Sequence, residues 1–185
     1  DALVLHSPIR MEPQGLRHVG AFTVGEGEVY AFSLSWYPSH HRRPTPIDAE
    51  RAVARTTAWW QEWSKQSTYE GEWADLVKRS AITLKALTYA PTGGIIAAAT
   101  TSLPEWIGSV RNWDYRCYWL RDATLTLSSL TVGGYTEEAL AWRDWLLRAA
   151  AGDPEDLQIM YGPAGERRLT EFTIDWLSGY ERSSP

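Results

Sequence analysis

The hydrophobic period of this chain changes between residues 37 and 48, and that change constrains its architecture more than any other feature. From Val29 to Tyr37 the pattern alternates strictly, with Tyr30, Phe32, Leu34 and Trp36 on one face and Ala31, Ser33 and Ser35 on the other. A period of two is the pattern of a half-buried strand. Gly25-Glu26-Gly27-Glu28 reads as the hairpin turn joining this strand to Ala21-Phe22-Thr23-Val24. Pro38 to Pro46 holds three prolines and His40-His41-Arg42-Arg43, the composition of an exposed connection. Beyond it the period becomes helical. Asp48 can cap a helix running through Ser64, with Val53, Thr56, Trp60 and Trp63 on one stripe. A second helix is expected over about Trp73–Tyr89, apolar at Trp73, Leu76, Val77, Ser80, Leu84 and Leu87, and stopped by Pro91 and Gly93-Gly94.

Further along, Ile95 to Thr101 is small, apolar and β-branched, fitting a short buried strand or an extended crossing. A helix is expected from near Asp122 to Gly133-Gly134, burying Ala123, Leu127 and Leu130. Thr136 then caps another, with Glu137 and Glu138 complementing the dipole of its first turn and Trp142, Trp145 and Leu146 along it. It stops at Gly152-Asp153-Pro154, and the short Gly-Gly-Tyr link between the two helices implies an antiparallel pair. Residues 155–185 read as extended and turn-rich. The fold class is therefore α+β: a β-rich N-terminal part, a helical linker, then helical hairpins. Helix connections in bundles usually take ~2–8 residues. The stretch from Pro91 to Leu120 and the one after Asp153 are far longer, and long ordered loops on a helical scaffold carry function.

Composition removes several classes. A net charge of −5 argues against a nucleic-acid or anionic-membrane surface, which needs clustered Lys and Arg. No run approaches the ~20 apolar residues of a membrane helix. Cys117 stands alone, which excludes an intrachain disulfide and a cysteine-built zinc site; it is expected as a buried thiol. His40-His41 has no carboxylate at ligand spacing and reads as solvated linker, so neither a metal nor a cofactor is called for. The tryptophans, 11 in 185 residues, are expected mostly in core and linker packing, with Trp59, Trp60 and Trp63 buried along the linker helix. The opening Asp1-Ala2-Leu3-Val4-Leu5, a strand already under way, and the close on Arg182-Ser183-Ser184-Pro185 lead to the expectation of a piece of a larger protein.

The densest chemistry lies in Arg111-Asn112-Trp113-Asp114-Tyr115-Arg116-Cys117-Tyr118-Trp119-Leu120-Arg121-Asp122. Aromatic rings offer flat apolar faces with polar edges, Arg offers planar donors and Asp paired acceptors. A sugar, with C–H faces and many hydroxyls, needs that mixture. The same residues also admit a structural reading, in which the aromatics are core, Arg121 pairs with Asp114, and Asp122 caps the following helix.

Asn112 to Arg116 and Trp119-Leu120-Arg121-Asp122-Ala123 resemble the signature of glycoside hydrolase family 15, which holds glucoamylases, glucodextranases and bacterial trehalases. In the same order, Ile95 to Glu105, Gly134-Tyr135-Thr136-Glu137-Glu138-Ala139, Leu157 to Gly162, Gly165-Glu166-Arg167 and Leu177 to Tyr180 are similar to further segments of that family. The likeness spans roughly residues 70 to 180. It implies the C-terminal part of an antiparallel β-sandwich over 1–46, a linker helix over 47–69 and the first hairpins of an incomplete (α/α)6 barrel over 70–185. It also implies that Arg121 and Asp122 hold the hydroxyls of a terminal glucose, in a pocket that Tyr115 and Trp119 help shape. The substrate class implied is an α-glucoside or oligosaccharide, cut with inversion. Inverting enzymes place an acid and a base ~6.5–9.5 Å apart. By the resemblance both are Glu residues beyond residue 185, so no catalytic residue is assigned within the chain. Glu105 at a turn, Glu166 beside Arg167 and Arg168, and Glu171 in a loop read as structural or solvated carboxylates.

Two departures from the family pattern stand out. Cys117-Tyr118-Trp119 replaces an aromatic-Cys-Trp order, which should alter a packing neighbour and leave the sugar contact intact. Gly179-Tyr180-Glu181-Arg182-Ser183-Ser184-Pro185 stands where relatives read Gly-Tyr-x-Gly-Ser-Arg-Pro, with Arg182 at the usual Gly and Ser184 at the usual Arg. The alternative functions are a non-catalytic carbohydrate-binding module and a protein-assembly piece. Barrel faces left uncovered lead to the expectation of self-association.

Overall fold

The computed structural model describes residues 1–150 and 152–184 and divides into two units, Asp1–Trp63 and Ser64–Pro185. Among the described residues there are four α-helices and several short antiparallel two-stranded sheets, an α+β composition.

In the first unit β1 (Ala2–His6) pairs antiparallel with β4 (Ser33–Tyr37), with Leu3 opposite Trp36 and Leu5 opposite Leu34. Between them β2 (Glu12–Gln14) and β3 (Arg17–Val19) form a small hairpin. The turn at Gly25–Glu28 forms as expected: the Glu28 N–H donates to the Gly25 carbonyl and Gly27 takes φ 83°. The strand it feeds is shorter than the alternation suggested. Residues 29–32 lie outside the ladder, and Ser33–Tyr37 pairs with β1 and not with 21–24. The apolar alternates Leu34 and Trp36 are also exposed, as are Leu3 and Leu5 beside them, while Val4 and Ser33 are buried. Alternation establishes that a strand has two faces; the tertiary surroundings decide which one is covered.

Helix α1 (Ala49–Ser64) starts where expected, with Asp48 Oδ1 accepting the Arg51 N–H at 3.0 Å. Its Trp63 is buried and Trp60 half-buried, but Val53, Thr56 and Trp59 are exposed. Six of the eleven tryptophans, Trp36, Trp59, Trp73, Trp106, Trp113 and Trp176, are exposed, so packing within these residues accounts for fewer than the sequence suggested.

The second unit is organised by α2 (Ala74–Ala86), α3 (Leu120–Val132) and α4 (Glu137–Ala149). Helix α2 ends three residues before Tyr89 because the backbone turns back on itself. β5 (Thr88–Tyr89) pairs with β6 (Gly94–Ile95) across a turn in which the Gly93 N–H donates to the Tyr89 carbonyl at 2.9 Å. Its inner stripe is also rotated: Ala81 is buried and Val77, Leu84 and Leu87 are half-buried, whereas Trp73 and Leu76 are exposed. Helices α3 and α4 match the periodicity closely, with Ala123, Leu127 and Leu130 buried on one and Trp145 on the other. Glu137 and Glu138 lie in the first turn of α4 as expected, and Glu138 has a further partner: it is 2% exposed and lies 2.7 Å from Lys85 Nζ on α2.

Among the described residues, two apolar clusters lie in this unit. Ile95, Ala123 and Leu127 pack with Leu87, Ala139 and Trp142. Tyr118, Trp145 and Tyr161 pack with Ile96, Leu120, Trp142, Leu146 and Ala149. The second cluster includes the short pair β7 (Tyr118–Trp119) and β8 (Met160–Tyr161), with Tyr118 opposite Tyr161. The segment after Asp153 thus contributes its own strand to the core, a long-range pairing that carries no local signal.

Candidate functional site

The signature segment is held on both sides. On one side, residues 97–105 run antiparallel to 111–117. Ala97 donates to the Cys117 carbonyl at 3.1 Å, Ala98 to Tyr115 at 2.8 Å, Ser102 to Trp113 at 2.7 Å and Glu105 to Arg111 at 3.0 Å. Thr101 and Asp114 form a bridge within this arm. The expected extended crossing after Ile95 is therefore the support of the motif itself. On the other side β8 completes the frame: the Leu120 N–H, first of α3, donates to the Ile159 carbonyl at 3.1 Å. One of the orphan donors of the helix start is thereby satisfied by backbone, so no side-chain cap is needed. Trp119 occupies the cap position without a side-chain hydrogen bond.

The four residues singled out from the sequence come together at this helix start. Arg121 Nη2 lies 3.1 Å from Asp122 Oδ2, and the Arg121 guanidinium carbon is 5.9 Å from the Trp119 ring centroid. The Tyr115 and Trp119 rings meet edge to face, centroids 6.1 Å apart. Arg121 is largely exposed and Asp122 half-buried. The Trp119 indole N–H is buried and has no hydrogen-bond acceptor among the described residues. Neither pairing of the structural reading forms. Asp114 binds Arg116 through two side-chain contacts, at 2.9 and 2.8 Å, and Asp122 lies inside the first turn of α3 and not at its cap. The Arg116 hydrogen bond holds the Asp114 carboxyl below its usual range, against the opposing effect of partial burial, and raises Arg116 in turn.

Glu105 and Glu166 have structural partners. Glu105 Oε2 accepts from Trp113 Nε1 at 3.2 Å and pairs with Arg111 Nε at 3.1 Å. Glu166 Oε2 accepts the Ala164 N–H at 2.9 Å, closing the turn in which the Gly162 N–H donates to the Glu166 carbonyl at 2.8 Å. Glu171 is exposed. Cys117 is half-buried and not enclosed, and desolvation still pushes its thiol up.

Tyr118, at the position where the sequence departs from the family order, is the packing residue that departure suggested. It is fully buried, its ring 4.8 Å from that of Trp145, with its hydroxyl 3.2 Å from Thr92 Oγ1. Thr92 also donates to the Pro163 carbonyl at 3.1 Å, a link between the two excursions for which the sequence held no signal. Burial raises the Tyr118 phenol to about 12, from the ordinary 10. Because the folded value is the higher one, the stabilisation is complete below pH 10 and is lost as pH rises toward 12. The two-unit difference corresponds to roughly 2–3 kcal/mol over that interval. Urea unfolding at pH 9 and pH 12 should therefore show a loss that is smaller in Tyr118→Phe by about that amount; equal losses would contradict the burial argument.

Comparison with known proteins places this arrangement. The sequence profile of Glycosyl hydrolases family 15 matches residues 71–185. A trehalase from Mycolicibacterium smegmatis is 37% identical over 188 aligned residues, covering 99% of this chain and 28% of that protein. A trehalase from Mycobacterium tuberculosis is 36% identical over 99% of this chain and 27% of its own length. One from Thermoplasma acidophilum is 41% identical over 91% of this chain and 29% of its own length. No solved structure matches. The chain spans less than a third of the length of these relatives. The matched region contains the supported arm, its Arg121–Asp122 pair and all three helices of the second unit, and the chain belongs to glycosyl hydrolase family 15.

Proposed function

We propose that this chain carries the terminal-glucose grip of an inverting, exo-acting α-glucoside hydrolase, with trehalose as the substrate favoured by the names of its relatives. The observation that carries the reading is the cluster at the start of α3. A guanidinium and a carboxylate stand side by side next to a tryptophan whose buried N–H has no acceptor among the described residues. Such a cluster supplies fixed donors, paired acceptors and an aromatic face, the needs of a hexose ring. In this proposal Asp122 accepts from two glucose hydroxyls, Arg121 donates to a third, and Tyr115 and Trp119 wall the ring. The acid and base are two Glu residues beyond residue 185, consistent with the structural engagement of Glu105 and Glu166.

The proposed organisation follows: residues 1–46 as the end of a β-sandwich, 47–69 as linker, and 70–185 as the opening hairpins of an (α/α)6 barrel. The exposed Leu125, Val132, Leu140 and Leu147 on α3 and α4 are faces that further hairpins, or a second copy, would cover.

The test is Asp122→Ala in the full-length enzyme. Hydrogen bonds to charged groups contribute roughly 1.5–3 kcal/mol each, so kcat/KM on trehalose should fall by about 10²-fold or more. Near-normal kinetics would remove the assigned role. The 185-residue chain alone should not hydrolyse trehalose or maltose, and turnover abolished by Glu166→Ala would overturn the assignment of the catalytic pair.

A further inference from the structure

We propose that residues 180–184 form a strained strap that docks on the 105–112 loop and fixes its conformation. This goes beyond the sugar-binding reading and does not depend on it. Ser183 is 4% exposed, although the residues around it are polar and most of them are solvated. Its hydroxyl accepts the Gly108 N–H at 2.8 Å, and one residue on, the Ser184 carbonyl accepts from the Asn112 side-chain amide. The strap thus grips the loop near its tip and at its base. Its own bend is closed by the Ser183 N–H donating to the Tyr180 carbonyl at 2.9 Å.

That bend has a conformational cost. Glu181 (φ 45°) and Arg182 (φ 70°) both lie in the left-handed region, which side chains bearing a Cβ disfavour. Among the described residues these two are the only non-glycine positions with positive φ, and they sit together immediately before the buried serine. Strain of this kind persists where the surrounding contacts over-determine it.

The loop that receives the strap is already clipped at its base. Glu105 and Arg111 are joined by a backbone hydrogen bond at 3.0 Å and a side-chain contact at 3.1 Å, and Glu105 holds the Trp113 indole N–H. Trp106, Ile107 and Val110 stay exposed on the clipped loop. Within the loop the Ser109 N–H donates to the Trp106 carbonyl at 3.0 Å and the Arg111 N–H to Ser109 Oγ at 3.1 Å, and docking at Gly108 and Asn112 adds the contacts that tie this turn to a distant segment. Ser183 and Asn112 are positioning residues in this arrangement, and Arg182 is the strained hinge that keeps docking from being tight.

Amide hydrogen exchange on the whole 185-residue chain tests the proposal. Ser183→Ala should speed exchange across residues 106–112 about three- to tenfold, the range of a single lost hydrogen bond, with amides of α3 and α4 unchanged. Arg182→Gly removes the left-handed penalty but adds freedom to the undocked segment, so it should slow the same amides by about two- to fivefold. Opposite signs at one loop, against a constant core, are the signature of a docking equilibrium. Unchanged loop exchange in Ser183→Ala would overturn the proposal, as would acceleration spread equally through α3 and α4. Should Ser183→Ala fail to fold, Arg182→Gly alone decides the matter: slower loop exchange supports the strap, and equal or faster exchange refutes it.

Discussion

Replacing Glu138 by alanine is expected to cost about 3–5 kcal/mol of stability, the range for breaking a buried ion pair by removing one partner. The Glu138 side chain is 1% exposed and that of Lys85 22% exposed, with 2.7 Å between the charged atoms. Without the carboxylate, the ammonium on α2 loses the charged partner that α4 supplies. Lys85 can relieve part of this by extending toward solvent, which places the effect near the lower end of the range. For a chain of this length about 3 kcal/mol corresponds to a fall in Tm of roughly 6–12 °C. Replacing both partners, Lys85→Met with Glu138→Leu, should recover much of the loss, since two apolar side chains carry no desolvation penalty. Urea unfolding followed by circular dichroism measures both. A Glu138→Ala protein as stable as the parent would show that the pair does not join the helices.

The second large effect belongs to Gly94. A Cβ placed there would lie 1.8 Å from Tyr118 Cε2 and 2.3 Å from Cζ. The ring cannot swing aside, because it is fully buried against Trp145 and Tyr161 and its hydroxyl is tied to Thr92. Overpacking a core typically costs 1–3 kcal/mol; this overlap, against a ring closed in on its other faces, should exceed ~3 kcal/mol. Gly94→Ala is expected to fold poorly, and the double variant Gly94→Ala/Tyr118→Leu to recover a cooperative transition. Equal stability of Gly94→Ala and the parent in thermal unfolding would disprove the close approach. The neighbouring Gly93 is required for a different reason, its φ of 81° in the turn between β5 and β6.

Gly94 marks where the motif packs, against Tyr118, and Glu138 where α4 meets α2. Helices α3 and α4 could be read almost residue by residue because Ala123, Leu127, Leu130 and Trp145 repeat at helical spacing and each helix has its own breaker. The turn at Gly25–Glu28 and the cap at Asp48 were equally local. The strand Ser33–Tyr37 was legible as a strand but not as a pairing, because alternation names no partner. For α2 the later part of the expected stripe, Val77, Leu84 and Leu87, turns inward, while Trp73, Leu76 and Ser80 are exposed, since Trp73 and Leu76 are as apolar as the residues that pack.

At the candidate site the four residues named from the sequence lie together, and the tertiary structure assigned their partners. Arg121, Asp122, Trp119 and Tyr115 are close in the chain and close in space. Which arginine serves which aspartate depended on the turn at 114–117, where Asp114 Oδ1 also accepts the Arg116 N–H at 3.0 Å and so closes that pair first. The anchors of the site come from far along the chain: Ile159 and Met160 beside the start of α3, Thr92 against Tyr118, Ser183 on Gly108.

The sequence by itself determined the α+β order, the α3–α4 hairpin and the family, because periodicity, caps and an ordered motif are local properties of neighbouring residues. Only the tertiary structure decided that Glu138 is buried against Lys85, that the segment after Asp153 adds a strand beside the motif, and that a serine near residue 183 closes over the loop. Those are pairings between residues tens of positions apart, set by which surfaces meet when the chain collapses, and no local pattern encodes them.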